Sequence, residues 1–216
     1  DSLPNVYFII LDGYPRNDVL KKHVSFDNSE FTNMLEQRGF HIAEKSFANY
    51  SFSGFSISST MNMNYINFLV DEYGKDSIDY SPIVGKDFGL YVDNQVTKNF
   101  KSMGYKVVKI GTAPIYLDEM PLVDLSPCYM TVHLMGNKLL HAVGSTSMVG
   151  YFVERWAEDQ QREIILCNFE ELPKISGYFE EPVFVWSHIM IPHYPLIFGP
   201  NGESVTPGQS IITMNH

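Results

Sequence analysis

Four polar residues stand out by type and position: Asp12, Ser53, His188 and His193. Asp12 ends the apolar run Asn5-Val6-Tyr7-Phe8-Ile9-Ile10-Leu11 and is followed by Gly13-Tyr14-Pro15-Arg16. Ligands of open α/β sheets gather at the carboxyl ends of strands, so a carboxylate there could hold a metal or a polar substrate. It could equally cap the next turn. Ser53 lies in the serine-rich stretch Asn49 to Asn62, where Phe55, Ser58, Ser59 and Asn62 recur at helical spacing. A hydroxyl at the entry to that helix would meet the positive end of its dipole and free backbone N–H groups. The plainer reading is a serine N-cap. His188 and His193 close a second apolar run, Pro182 to Ile189, which passes into Met190-Ile191-Pro192-His193-Tyr194-Pro195. Two histidines five apart after a strand could be ligands, acid/base groups or oxyanion donors. A lone histidine is more often structural.

The elements that must carry these residues follow from the hydrophobic pattern. Short, unbroken runs of β-branched and aromatic residues closed by Gly or Pro predict strands buried on both faces of a parallel sheet. Asn5 to Leu11 is the first such strand. A helix is expected from an N-cap at Ser29 to a stop at Gly39, then a second strand at Phe40-His41-Ile42-Ala43, which makes a βαβ unit. Asn94 to Met103 predicts a helix ended by Gly104, and Tyr105 to Gly111 a third strand. Thr112 to Pro127 reads as irregular. Thr131 to Arg155 predicts helices packed on the body, with a membrane-facing amphipathic hairpin as the alternative. Glu158 to Ile175 predicts a further helix, and Pro182 to Ile189 a fourth strand. The expected fold class is α/β, a largely parallel central sheet flanked by helices, in a single domain over residues 1–216.

Composition narrows the function classes. Of the 216 residues, 44% are hydrophobic and 19% charged, as in an ordinary globular protein. A formal charge of −10 argues against a nucleic-acid backbone as partner, since such binding needs clustered Lys and Arg. No stretch reads as a signal peptide or a membrane span. Cys128 and Cys167 match no metal-binding spacing; they could pair, but two buried thiols is the preferred reading.

Three segments taken together, Asn5 to Arg16, Asn49 to Asn62 and Phe184 to Gly202, resemble the sulfatase-like hydrolases and transferases of the alkaline phosphatase superfamily. The nearest likeness is to the membrane-anchored branch containing lipoteichoic-acid synthases and phosphoethanolamine transferases. That pattern is an apolar strand ending in Asp, a nucleophile at a helix start, and a later His-x-x-x-Pro-His-x-Pro loop. The resemblance implies an alkaline-phosphatase-like fold, incomplete in this chain, which would hold the N-terminal portion of such a protein. It implies Asp12 as a metal ligand and Ser53 as both nucleophile and metal ligand, with His188 and His193 binding substrate. The cofactor implied is a divalent metal, zinc or manganese, with calcium or magnesium as further options. A metal shared by Asp12 and Ser53 would lower the hydroxyl's pKa, and the helix N-terminus would help hold the charge of an in-line transition state. The substrate implied is an anionic ester: a phosphodiester, a phospholipid headgroup, or a sulfated or phosphorylated glycan. The site would lie on the extracytoplasmic face of a membrane or be secreted, with any anchor outside this chain.

Two departures from the family pattern shape the expectation. Ser53 is followed by Gly54, Phe55 and Ser56, without the Pro and Arg that direct formylglycine formation, which favours phosphoryl-type transfer by an unmodified hydroxyl. The Asp-His dipeptide that completes the family's metal site does not occur in these residues. The alternative function is therefore a non-catalytic, degenerate sulfatase-like domain that binds an anionic glycan or lipid headgroup. An unrelated serine hydrolase is the weakest reading, because no Gly-x-Ser-x-Gly elbow is present.

Overall fold

A computed structural model describes residues 3–74, 89–111, 120–128, 150–194 and 196–205. In chain order the elements are β1 (Val6–Leu11), α1 (Asn17–His23), α2 (Ser29–Gln37), α3 (Ser53–Met61), α4 (Phe68–Tyr73) and α5 (Gln95–Ser102). They continue with β2 (Lys106–Gly111), α6 (Gly150–Glu171), a 3-10 turn (Ile175–Gly177) and β3 (Val183–Ile189). The chain divides into two compact units, Asp1–Asp12 with Val92–His216, and Gly13–Tyr91.

The first unit is built on a three-stranded, wholly parallel sheet in the order β1-β3-β2. The expected α/β class with a parallel sheet flanked by helices is present. β3 takes the centre because Val183 to Ile189 can be covered on both sides, and every one of its residues is buried. β1 differs from expectation. It pairs only with β3 among the described strands, and Ile9 stays 47% exposed, so it is an edge rather than a strand covered on both faces. On one face of β3, Phe184 stacks on Phe100 of α5 with ring centroids 4.0 Å apart. On the other, Val183, Val185 and Ile189 pack with Ile165 and Leu172 of α6 and with Ile175.

Local chemistry explains where the helices begin and end. The buried side chain of Asn94 accepts a hydrogen bond from the Thr97 amide at 2.8 Å, which caps α5. At α2 the cap position is Asn28, and Asp27 Oδ1 accepts the Ser29 amide at 3.1 Å; Ser29 is the first helical residue, not the expected cap. Gly39 stops α2 as expected. Its φ of +88° lets the Gly39 amide reach Glu36 O and the Phe40 amide reach Leu35 O, the paired closure of a Schellman turn.

That closure also overturns the expected second strand. The Phe40 amide is spent on the end of α2, Phe40 is 60% exposed, and Phe40 to Ala43 form no ladder. The expected βαβ unit is therefore absent here, and the parallel neighbour of β1 is β3, far along the chain.

The cysteines also differ from the preferred reading: Cys128 and Cys167 form a disulfide, with their Cα atoms 5.8 Å apart. Asp124 and Leu125 run beside β2, exchanging backbone hydrogen bonds with Val107 and Lys109. This delivers Cys128 into the same apolar cluster that Cys167 of α6 packs against. The helices expected within Thr131 to Arg155 lie outside the described residues as far as 149, as does the alternative hairpin, and 112–119 of the expected irregular stretch lie outside too. From 150 onward the chain is α6, whose end at Glu171 falls four residues short of expectation. Among the described residues no helix is long and apolar enough to cross a membrane.

Candidate functional site at the carboxyl rim of the sheet

Paired residues of adjacent parallel strands share a face of the sheet. The register matches Ile10 with His188, Lys109 with Trp186, and Gly111 with His188. Lys109, Trp186 and His188 therefore share one face, and Asp12 continues the Ile10 side of β1 just past its end. The Asp12 amide donates to Ile189 O at 2.9 Å, so the pairing runs one residue beyond the strand and fixes the backbone beneath the carboxylate.

There the Asp12 carboxylate comes within 3.4 Å of His188 Nε2. Both side chains are largely enclosed, 13% exposed for Asp12 and 7% for His188. At this separation the contact is electrostatic rather than a good hydrogen bond. Neither ring nitrogen of His188 has a hydrogen-bond partner among the described residues. Burial is the main influence pushing the imidazole below its ordinary pKa, and the charge of Lys109 adds to it. Asp12 pulls the other way, and His193 contributes a smaller downward push. A neutral imidazole beside a carboxylate offers nitrogen and oxygen donors to one point.

Lys109 was not singled out from the sequence, yet among the described residues it is a buried cation on the same face as His188. It is only 3% exposed, with Nζ 4.9 Å from the Trp186 ring centroid and donating to Ile110 O at 3.3 Å. Burial pushes its amine down to about 7. The signal was available: a single cation interrupts the apolar run Val107-Val108-Lys109-Ile110. Gly111 was passed over as well. Its φ is +137°, and a Cβ there would overlap the backbone nitrogen and carbonyl of His188. Only glycine lets β2 close on β3 beside the histidine.

His193 lies past the strand, exposed, with Nδ1 2.6 Å from Tyr194 O. Ser53 belongs to the second compact unit. It is exposed and is the first residue of α3; the N-cap is Phe52, whose backbone is extended and whose carbonyl accepts the Ser56 amide at 3.0 Å. The hydroxyl thus stands in the first turn rather than at the capping position. Further along that helix Ile57, Ser58, Ser59 and Met61 are buried.

A divalent metal of the kind the resemblance implies fits the donor chemistry of Asp12 and His188. Carboxylate oxygen and neutral imidazole nitrogen suit zinc and manganese, and the histidine's ring nitrogens have no competing partner. Among the described residues no three His, Cys, Asp or Glu side chains converge in a group that could hold a metal ion. No protein-family model, curated protein or solved structure matches this chain.

Proposed function

We propose that this chain is part of a metal-dependent hydrolase or headgroup transferase acting on anionic esters of the phosphoryl or sulfuryl type, with an alkaline-phosphatase-like fold. The observation that carries the proposal is the approach of Asp12 to His188 at the carboxyl ends of two adjacent parallel strands. Asp12 and His188 would hold the metal, which when bound supplies Lewis acidity towards the ester oxygens. His193, exposed on the loop beyond β3, would donate to a non-bridging oxygen of the substrate. The Ser53 hydroxyl is the proposed nucleophile. Its place in the first turn of α3 puts it beside amides with no helical acceptor of their own, which favour the charge that builds as it attacks.

The Cys128–Cys167 disulfide supports an extracytoplasmic or secreted setting, because such bonds persist where the surroundings are oxidising. The substrate proposed is a phosphodiester, a phospholipid headgroup, or a phosphorylated or sulfated glycan.

The test is turnover of bis(4-nitrophenyl) phosphate with manganese, by the parent chain and by Ser53→Ala. The proposal expects a loss of about a hundredfold or more in the variant. An unchanged rate would remove Ser53 from the chemistry. Binding of the ester without turnover by either protein would favour the second reading, a non-catalytic domain that recognises an anionic headgroup.

A further inference from the structure

We infer that Phe52 determines specificity beside the proposed nucleophile: its ring receives an apolar group, aryl or hydrocarbon, carried by the anionic ester that Ser53 attacks. The inference rests on the proposed function, since it takes Ser53 as the reacting residue. Phe52 immediately precedes Ser53 as the N-cap of α3, and 53% of it is exposed. Ser53 is exposed too, so both residues reach solvent at the start of one helix.

A row of contacts holds the Phe52 ring. It meets Phe55 edge-to-face with centroids 5.1 Å apart, and Phe55 meets Tyr50 in the same manner at 6.4 Å. Tyr50 is fixed in turn through its hydroxyl, which donates to Asn67 Oδ1 at 2.7 Å and accepts the Ile66 amide at 2.9 Å. Ile66 is itself buried. A ring tied to the body in this way has less rotamer freedom left to lose, so a ligand that covers it meets less of that cost.

Charge selects the class of group. From Ser46 to Val70 the sequence contains no Asp, Glu, Lys, Arg or His. The segment that carries Ser53 thus offers no ionic partner of its own to a substituent of the ester, while Phe52 offers exposed aromatic surface. The first-turn amides of α3 suit the anion itself. The ring is then left to discriminate among the groups attached to that anion, and an apolar group gains most by leaving water against it.

The experiment is titration calorimetry of phenylphosphonate and methylphosphonate into the full chain with manganese present, since the two share an anionic head and differ in the apolar group. The expected result is binding of phenylphosphonate about tenfold tighter than methylphosphonate, a preference lost in Phe52→Ala and kept in Phe52→Tyr. Hexylphosphonate separates the two sources: binding as tight as phenylphosphonate assigns a hydrocarbon chain, and clearly weaker binding an aryl group. Equal binding of phenylphosphonate and methylphosphonate, or a preference that survives Phe52→Ala, overturns the inference and leaves the proposed function standing. So does tighter binding of 2-aminoethylphosphonate than of phenylphosphonate, since the ring would then be receiving a cation. Binding of none of these phosphonates overturns the proposed function as well.

Discussion

Asp12 Oδ2 lies 3.4 Å from His188 Nε2, although 175 intervening residues separate them in the chain (188 − 12 − 1). The contact exists because β1 and β3 are parallel neighbours that end together, with the Asp12 amide bonded to Ile189 O just past the last strand pair. A carboxylate and an imidazole that is pushed towards neutrality are thereby fixed on the rim by backbone ladders rather than by a loop.

Behind that pair sits Lys109, and its burial makes stability depend on pH. Its amine is pushed down to about 7 in the folded chain, against about 10.4 when exposed. Between those values the unfolded chain binds a proton that the folded chain lacks, so this group makes stability rise with pH across the window, by up to about 1.4 kcal/mol for each pH unit. Below pH 7 both states are protonated and the penalty is at its full size. Lys109→Met keeps the stem over Trp186 and removes the charge. Urea unfolding should find the variant more stable than the parent at pH 7, with the gap closing towards pH 10.

Gly111→Ala should cost about 3 kcal/mol or more, since it combines a backbone conformation disfavoured for alanine with overlap on the His188 backbone. Gly39→Ala has a similarly positive φ but nothing within 4 Å of the added carbon, and should cost about 1 kcal/mol. The comparison of denaturation midpoints separates the strain of a close approach from the strain of φ alone.

The Cys128–Cys167 bond spans 39 residues of chain. Chain entropy gives such a cross-link about 4 kcal/mol of stabilisation at most. Cys128→Ser/Cys167→Ser should unfold at correspondingly lower denaturant. In the parent, thiol labelling under denaturing conditions should find no free cysteine until a reductant is added.

What the sequence revealed, and what it concealed, divides by the range of the interactions involved. The end of β1 at Asp12, the start of α3 at Ser53, the stop at Gly39 and the buried run of β3 were all legible, because each is set by neighbours within a turn or by an unbroken apolar pattern. Phe40 to Ala43 misled because an apolar tetrapeptide after a glycine stop looks like a strand, while its fate hung on a partner that the fold does not supply there. The cysteine pairing was hidden for the same reason. It depends on Asp124 and Leu125 lying along β2, which no spacing encodes. Lys109 was visible as a lone cation in an apolar run, but its nearness to His188 required the register of β2 against β3.

The most direct test of the central claim is titration calorimetry of manganese and zinc into the parent chain and into Asp12→Ala. The account predicts binding by the parent, weakened by about a hundredfold or more in the variant, at least the scale seen when a ligand's supporting residue is lost. Equal binding by the two proteins, or none by the parent, would contradict the assignment of Asp12 and His188 as a metal-holding pair.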